Sequence, residues 1–153
     1  MAVGWTNRGK YLALAHVFRT LALPANFYVA LVTSATAPTC DTNTLSELTE
    51  IAAGNGYTSG GYQLALNSSD FDYINEDDTN DLGKLQIKDI VWTASGGTIP
   101  ASGNGARYAV LTDYHATVGS RQVYAYWDLA SDRSVSSGQT LTLQDCELRL
   151  TEA

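Results

Sequence analysis

Charge is scarce in this chain. Lys, Arg, Asp and Glu together make up 16% of its 153 residues, against roughly 25% in an average soluble protein. Much of the exterior is therefore expected to be neutral Thr, Ser, Asn, Gln, Gly and Tyr, a surface that loses little hydration when a partner docks. The charges present are also unbalanced, nine basic against 16 acidic, for a formal net charge of −7. That sign repels phosphate backbones, and Arg8, Lys10, Lys84 and Lys88 are too dispersed to form a basic patch. Nucleic acid is thus not expected as a partner. Long apolar runs are missing too. The stretch 11–23 contains His16 and Arg19 and falls short of the ~18 apolar residues needed to span a bilayer. With no clean small-residue cleavage site before Pro24, neither a membrane span nor a signal peptide is expected.

The residues that carry bond-making chemistry are equally thin. There are two cysteines, Cys40 and Cys146. They could pair, but they read more simply as free thiols, without metal-ligand spacing and in a compartment that is reducing at synthesis. The two histidines, His16 and His115, stand apart, and no G-x-S-x-G turn supplies a nucleophile. The glycines of 54–61 are followed by neither a Lys nor an apolar helix, which argues against a phosphate-binding loop. The acid-rich segment 70–81 (DFDYINEDDTND) begins as a calcium loop would, with Asp70 and Asp72. Ile74 then falls on a ligand position, Asn75 replaces the turn glycine, and Asp81 stands where a bidentate Glu belongs. A solvated acidic turn is the expectation, with calcium binding by the loop as the alternative. No catalytic residue, metal or cofactor is assigned.

What the chain does have is alternation. Thr6 or Asn7 can cap a helix over about 7–22, with its body at 8–21, and Pro24 stops it. The apolar arc of that helix is wider than one stripe requires. It fits a helix laid across a sheet and well buried, or one that meets another subunit with part of its arc. Residues 26–33 (NFYVALVT) read as a central strand and 62–66 as a short one. Residues 45–51 suit a short helical turn behind a Thr44/Glu47 capping box. The loop 52–61 (AAGNGYTSGG) is expected at the surface with Tyr57 exposed in it. Strands follow at 85–93, 106–112, 122–129 and 140–150. In the first and last of these the apolar parity changes, which calls for a bulge near Lys88 or Asp89 and for a bulge or bend near Gln144 and Asp145. Across 122–129, Val123, Ala125, Trp127 and Leu129 are expected on one face, with Tyr124 and Tyr126 on the other. Together these features predict a mainly β protein, a β-sandwich of about six to eight antiparallel strands running from 26 to 150, with one N-terminal α-helix. It reads as one domain over 1–153.

Nine tyrosines and three tryptophans are the more suggestive set. Trp92 and Trp127 fall in strands and read as core. Trp5, Tyr57, Tyr62 and Tyr73 are the candidate contacts for a protein neighbour or a glycan, because exposed aromatic rings give large area at low entropic cost. Ordinary loop packing is the competing explanation for each.

Several segments carry a family likeness: 6–10 (TNRGK) opening a helix, 26–33, Glu50 and Ile51 leading to 54–62 (GNGYTSGGY), 91–94 (VWTA), 106–111 (ARYAVL) and 127–129 (WDL). Over nearly its whole length the chain resembles small virion structural proteins of tailed bacteriophages, of the tail-fibre-associated or capsid-surface accessory kind. The resemblance implies a non-enzymatic subunit made in the host cytoplasm and carried in the virion. Its expected partners are copies of itself and other capsid or tail subunits. A decoration or fibre-type accessory is the first expectation. A tail tube or tip component is the second, and a module binding a host-surface glycan or receptor is the third.

Overall fold

The structure is a computed structural model and describes residues 2–151. A short strand, β1 (Ala2–Trp5), leads into the helix α1 (Asn7–Phe18). Next come β2 (Asn26–Val32), β3 (Tyr62–Ala65), β4 (Tyr73–Asp77), β5 (Leu82–Gln86) and β6 (Ile90–Thr93). The set is completed by β7 (Ala106–Asp113), β8 (Val123–Arg133), β9 (Thr140–Leu143) and β10 (Glu147–Thr151). All pairing is antiparallel, in sheets of order β1-β8-β7-β2-β3, β10-β5-β4 and β6-β9.

The large sheet is one layer of a β-sandwich-like fold, and the two small sheets face it. Between them Val29, Leu31, Leu111 and Trp127 pack with Ile90, Trp92, Leu141 and Leu148. On the far side of the large sheet Ala30, Val32, Val110 and Val123 meet Leu45 and Leu48 from the segment after β2. From Val29 to Val32 β2 is therefore buried on both faces, which is why its sequence there is an unbroken apolar run. Trp92 and Trp127 are core residues, as expected. No helix among the described residues is long and apolar enough to cross a membrane.

The two expected parity changes mark one structural event. At 87–89 and 144–146 the strands break, and the two breaks lie opposite each other, joined by Ile87 N–H donating to the Cys146 carbonyl at 3.1 Å. Asp145 takes a left-handed φ of 54° there. Each expected strand thus becomes two, β5 with β6 and β9 with β10, and the pairs Leu85–Leu148, Ile90–Leu143 and Trp92–Leu141 remain in register. β1 and β4 are strands beyond those expected, and β4 occupies five residues of the segment read as an acidic turn. Only the tip of that hairpin, 78–81, is a turn.

Three local expectations need correction. The capping box does form, with Glu47 accepting from Thr44 N–H at 3.0 Å, but the turn behind it is a short 3-10 piece, Leu45–Glu47, and does not reach 51. The helix ends at Phe18 because Thr20 adopts φ 54° and Leu21 N–H folds back on the Ala15 carbonyl at 3.2 Å. Tyr57 is 2% exposed. Its loop is glycine-rich because it runs hard against β2: a Cβ on Gly61, at φ +81°, would sit 1.9 Å from the Val29 carbonyl oxygen. Glu50 ties the loop down by accepting from the Tyr57 hydroxyl at 2.7 Å, the Ser59 hydroxyl at 2.9 Å and Gly60 N–H at 2.5 Å. The Tyr57 oxygen in turn accepts from Leu31 N–H at 2.9 Å. Burial, then the Glu50 carboxylate, pushes the Tyr57 phenol well above its ordinary range, so it remains a protonated donor.

Both cysteines are free thiols, Cys40 exposed and Cys146 buried. Burial, then Asp89 and Asp145, pushes the Cys146 thiol up to about 12.

Candidate functional site

Thr6 starts the site. Its side chain caps α1 by accepting from Gly9 N–H at 2.8 Å. The same hydroxyl donates to the Val123 carbonyl at 2.5 Å, and Thr6 N–H donates to the Tyr124 carbonyl at 3.0 Å. Those carbonyls are available because β8 bulges: Leu111 pairs with Ala125 but Thr112 pairs with Val123, leaving Tyr124 extra. The bulge also overturns the expected alternation. Val123 joins the far-side cluster while Tyr124 turns into the main core with Ala125 and Trp127.

The helix seats on that bulge through its small residues. Only Gly9, Leu12 and Ala15 of α1 are buried. The expected well-buried helix is corrected accordingly: it meets the end of β8 along a narrow stripe and does not lie across the sheet. Leu14, Val17 and Phe18 are left 59%, 72% and 74% exposed.

Beside this helix a groove of about 770 Å³ opens into the end of the sandwich. Its floor is Phe27, Leu111, Tyr124 and Leu148, with Trp5 at one side. One wall is Ala13, His16 and Val17 of α1, and the other is Ile74 and Leu85 of the β4–β5 hairpin. Edge-on rings stiffen the floor, Phe27 lying 5.1 Å from Tyr124 and 5.8 Å from Phe71 between centroids. The two polar side chains at the helix wall occupy each other, His16 Nε2 and the Tyr124 hydroxyl being 3.0 Å apart, while His16 Nδ1 meets the Leu21 carbonyl at 3.0 Å. Burial, then Asp113, raises the Tyr124 phenol above its ordinary range. Among the described residues no group of three His, Cys, Asp or Glu side chains comes together to hold a metal. Apolar walls with an internally satisfied polar pair suit the desolvation of an apolar partner.

Comparison of the chain with family models, curated proteins and solved structures gives no match. The groove itself therefore carries the functional argument.

The four aromatic candidates are scattered. Trp5 lines the groove and donates from Nε1 to the Arg149 carbonyl at 2.9 Å. Tyr73 is 45% exposed on β4, on the face opposite Ile74. Tyr62 is half-buried, edge-on to Trp92 and under the Lys88 ammonium. Tyr57 is a structural residue, far from the accessible role expected of it. The groove escapes a reading of the sequence because separate segments build it. Its one signal there is the over-wide apolar arc of α1.

The acidic segment does not gather its carboxylates. Asp77 pairs with Lys84 at 2.5 Å and accepts from Asn80, which together pull its carboxyl down to about 2. Asp70 turns inward, pairing with Lys88 at 2.5 Å and accepting from Ala65 N–H at 2.7 Å, and so closes the loop 66–72 along the groove. Lys88 and then Ala65 hold the Asp70 carboxyl below its ordinary range. A depressed folded-state value means that Asp70 stabilises the fold fully above the ordinary carboxylate range, and that this support is lost as pH falls from there through the lower folded-state value. Asp70→Asn is expected to cost about 2 kcal/mol at neutral pH and to flatten the acid limb of a stability-versus-pH curve. An unchanged acid limb in denaturant titrations would count against this role.

Proposed function

We propose that this protein is a non-catalytic structural subunit of a tailed-bacteriophage virion, a capsid-surface decoration or fibre-type accessory present in many copies. One observation supports the reading most strongly: the groove and its rim leave apolar side chains of α1 and β4 in water, Val17 at 72% and Ile74 at 77% exposed. Exposed apolar surface gathered around a concave site marks a place where another protein docks. A sparsely charged exterior elsewhere keeps the desolvation cost of further contacts low. Repetition on a symmetric particle turns weak single contacts into firm attachment. A tail tube or tip position would use the same face.

A second reading, a glycan- or receptor-binding module, draws on Tyr114. Its ring is 52% exposed and leans on Tyr28 at 6.0 Å, and the Arg121 guanidinium stacks on Tyr28 at 3.9 Å.

Electron microscopy of intact particles carrying a labelled copy tests the first reading. Symmetric label on the shell, fibres or tail is the expected image. Label found only free in the lysate would overturn it, and strong signal on an array of host-surface glycans would then favour the second.

A further inference from the structure

We infer that the groove is covered by a second copy of this chain, in a closed two-fold pair where α1 of each protomer lies against the β4–β5 hairpin of its partner. The inference rests on reading the groove as a contact surface, whichever particle the chain joins.

Charge is segregated along the chain. Residues 1–40 contain Arg8, Lys10 and Arg19 and no acidic residue, whereas 67–83 contain six acidic residues and no basic one. Two of those six, Asp70 and Asp77, are taken up by Lys88 and Lys84. Asp72 and Glu76 are exposed, and two-residue spacing puts them on the groove side of β4 with Ile74. Lys10 stands two turns before Val17 on the same stripe of α1. Lys10, Arg19, Asp72 and Glu76 are without ion-pair partners among the described residues. The helix wall is apolar with the cation of Lys10 at its rim, and the hairpin wall is apolar and acidic. Each is therefore complementary to the other wall of a neighbouring copy.

A two-fold axis satisfies both contacts at once with the fewest chains, and two-fold dimers are by far the commonest closed assemblies. The area is sufficient. Leu14, Val17, Phe18, Leu23, Leu66 and Ile74 are 44% to 77% exposed and with their charged neighbours offer on the order of 800 Å² per protomer, the size of a standard stable interface. Repulsion between two chains of net charge −7 is damped beyond about 8–10 Å by salt, while the opposed charges across the interface lie within that distance.

Two surface variants of the full chain test the arrangement by light scattering and sedimentation. Lys10→Glu makes both walls acidic, and Asp72→Lys with Glu76→Lys makes both basic. Each alone is expected to weaken the pair at least about tenfold, with circular dichroism unchanged. Mixed, the two variants are expected to form a heterodimer of wild-type affinity, because every helix then faces a hairpin of opposite sign. Failure of the mixture to associate, a wild-type chain that stays monomeric with or without an apolar dye in the groove, or assemblies growing beyond two chains would each overturn the inference. A monomer that still labels virions overturns the pairing and leaves the proposed function standing. A dimer that never enters a particle supports the pairing and overturns the proposed function.

Discussion

Gly9→Ala is expected to destabilise the protein by about 3 kcal/mol, although it places a better helix former inside a helix. In an exposed helix interior the same change stabilises by about 1 kcal/mol. Here a Cβ on residue 9 would lie 2.1 Å from the Tyr124 carbonyl oxygen and 2.6 Å from Tyr124 Cα. Both are backbone atoms of a strand held between β7 and β1, so no rotamer change relieves the clash. The helix has to lift, losing the Thr6 bonds to β8 and part of the burial of Leu12, and each of those losses exceeds the propensity gain. Thermal unfolding is the direct measurement, with a fall of roughly 6–12 °C expected for a chain of this size. Since α1 is one wall of the groove, association should weaken in the same variant. A rise in melting temperature would show that the helix does not seat on the bulge.

Glu50→Ala should have a comparable effect from the other end of the sandwich. The carboxylate serves the Tyr57 hydroxyl, the Ser59 hydroxyl and Gly60 N–H. Ser59 is exposed and can turn to water, but Tyr57 is 2% exposed and cannot. Hydrogen bonds to a charged group contribute about 1.5–3 kcal/mol, and a buried donor left unmatched adds its own cost. A loss of about 3 kcal/mol is expected in chemical denaturation. Glu50→Gln, which keeps one acceptor oxygen, should lose roughly a third of that. Equal losses for the two variants would mean that the loop is held by packing alone.

What can be read from the residues is local. The Thr6 cap, the doubly buried run of β2 and the two indole core residues each announce themselves within a few positions, because a cap or a pleat depends on near neighbours. The parity changes around 88 and 145 are legible for the same reason; the bend at 145 is there, while at 88 the cause is a break shared with it and not a bulge. What stays hidden depends on partners distant in sequence. β1 pairs with β8 across more than a hundred residues, and β4 is a strand because β5 pairs with it. The bulge at Tyr124 interrupts a sequence whose alternation is unbroken, and the residues that meet it, Thr6 and Gly9, lie far away in the chain. Tyr57 sits among four glycines that resemble a mobile loop. Their actual role is to let backbone approach backbone, which composition does not distinguish from flexibility. The groove shares this difficulty, being assembled from helix, hairpin and strand ends.

Because β2 belongs to both packed layers at once, neither layer has a route to melting by itself. Separating the far-side cluster would bare Ala30 and Val32, and opening the main core would bare Val29 and Leu31 on the same seven-residue segment. The amides of that segment are expected to exchange with solvent only when the entire molecule opens, which would make the sandwich one cooperative unit.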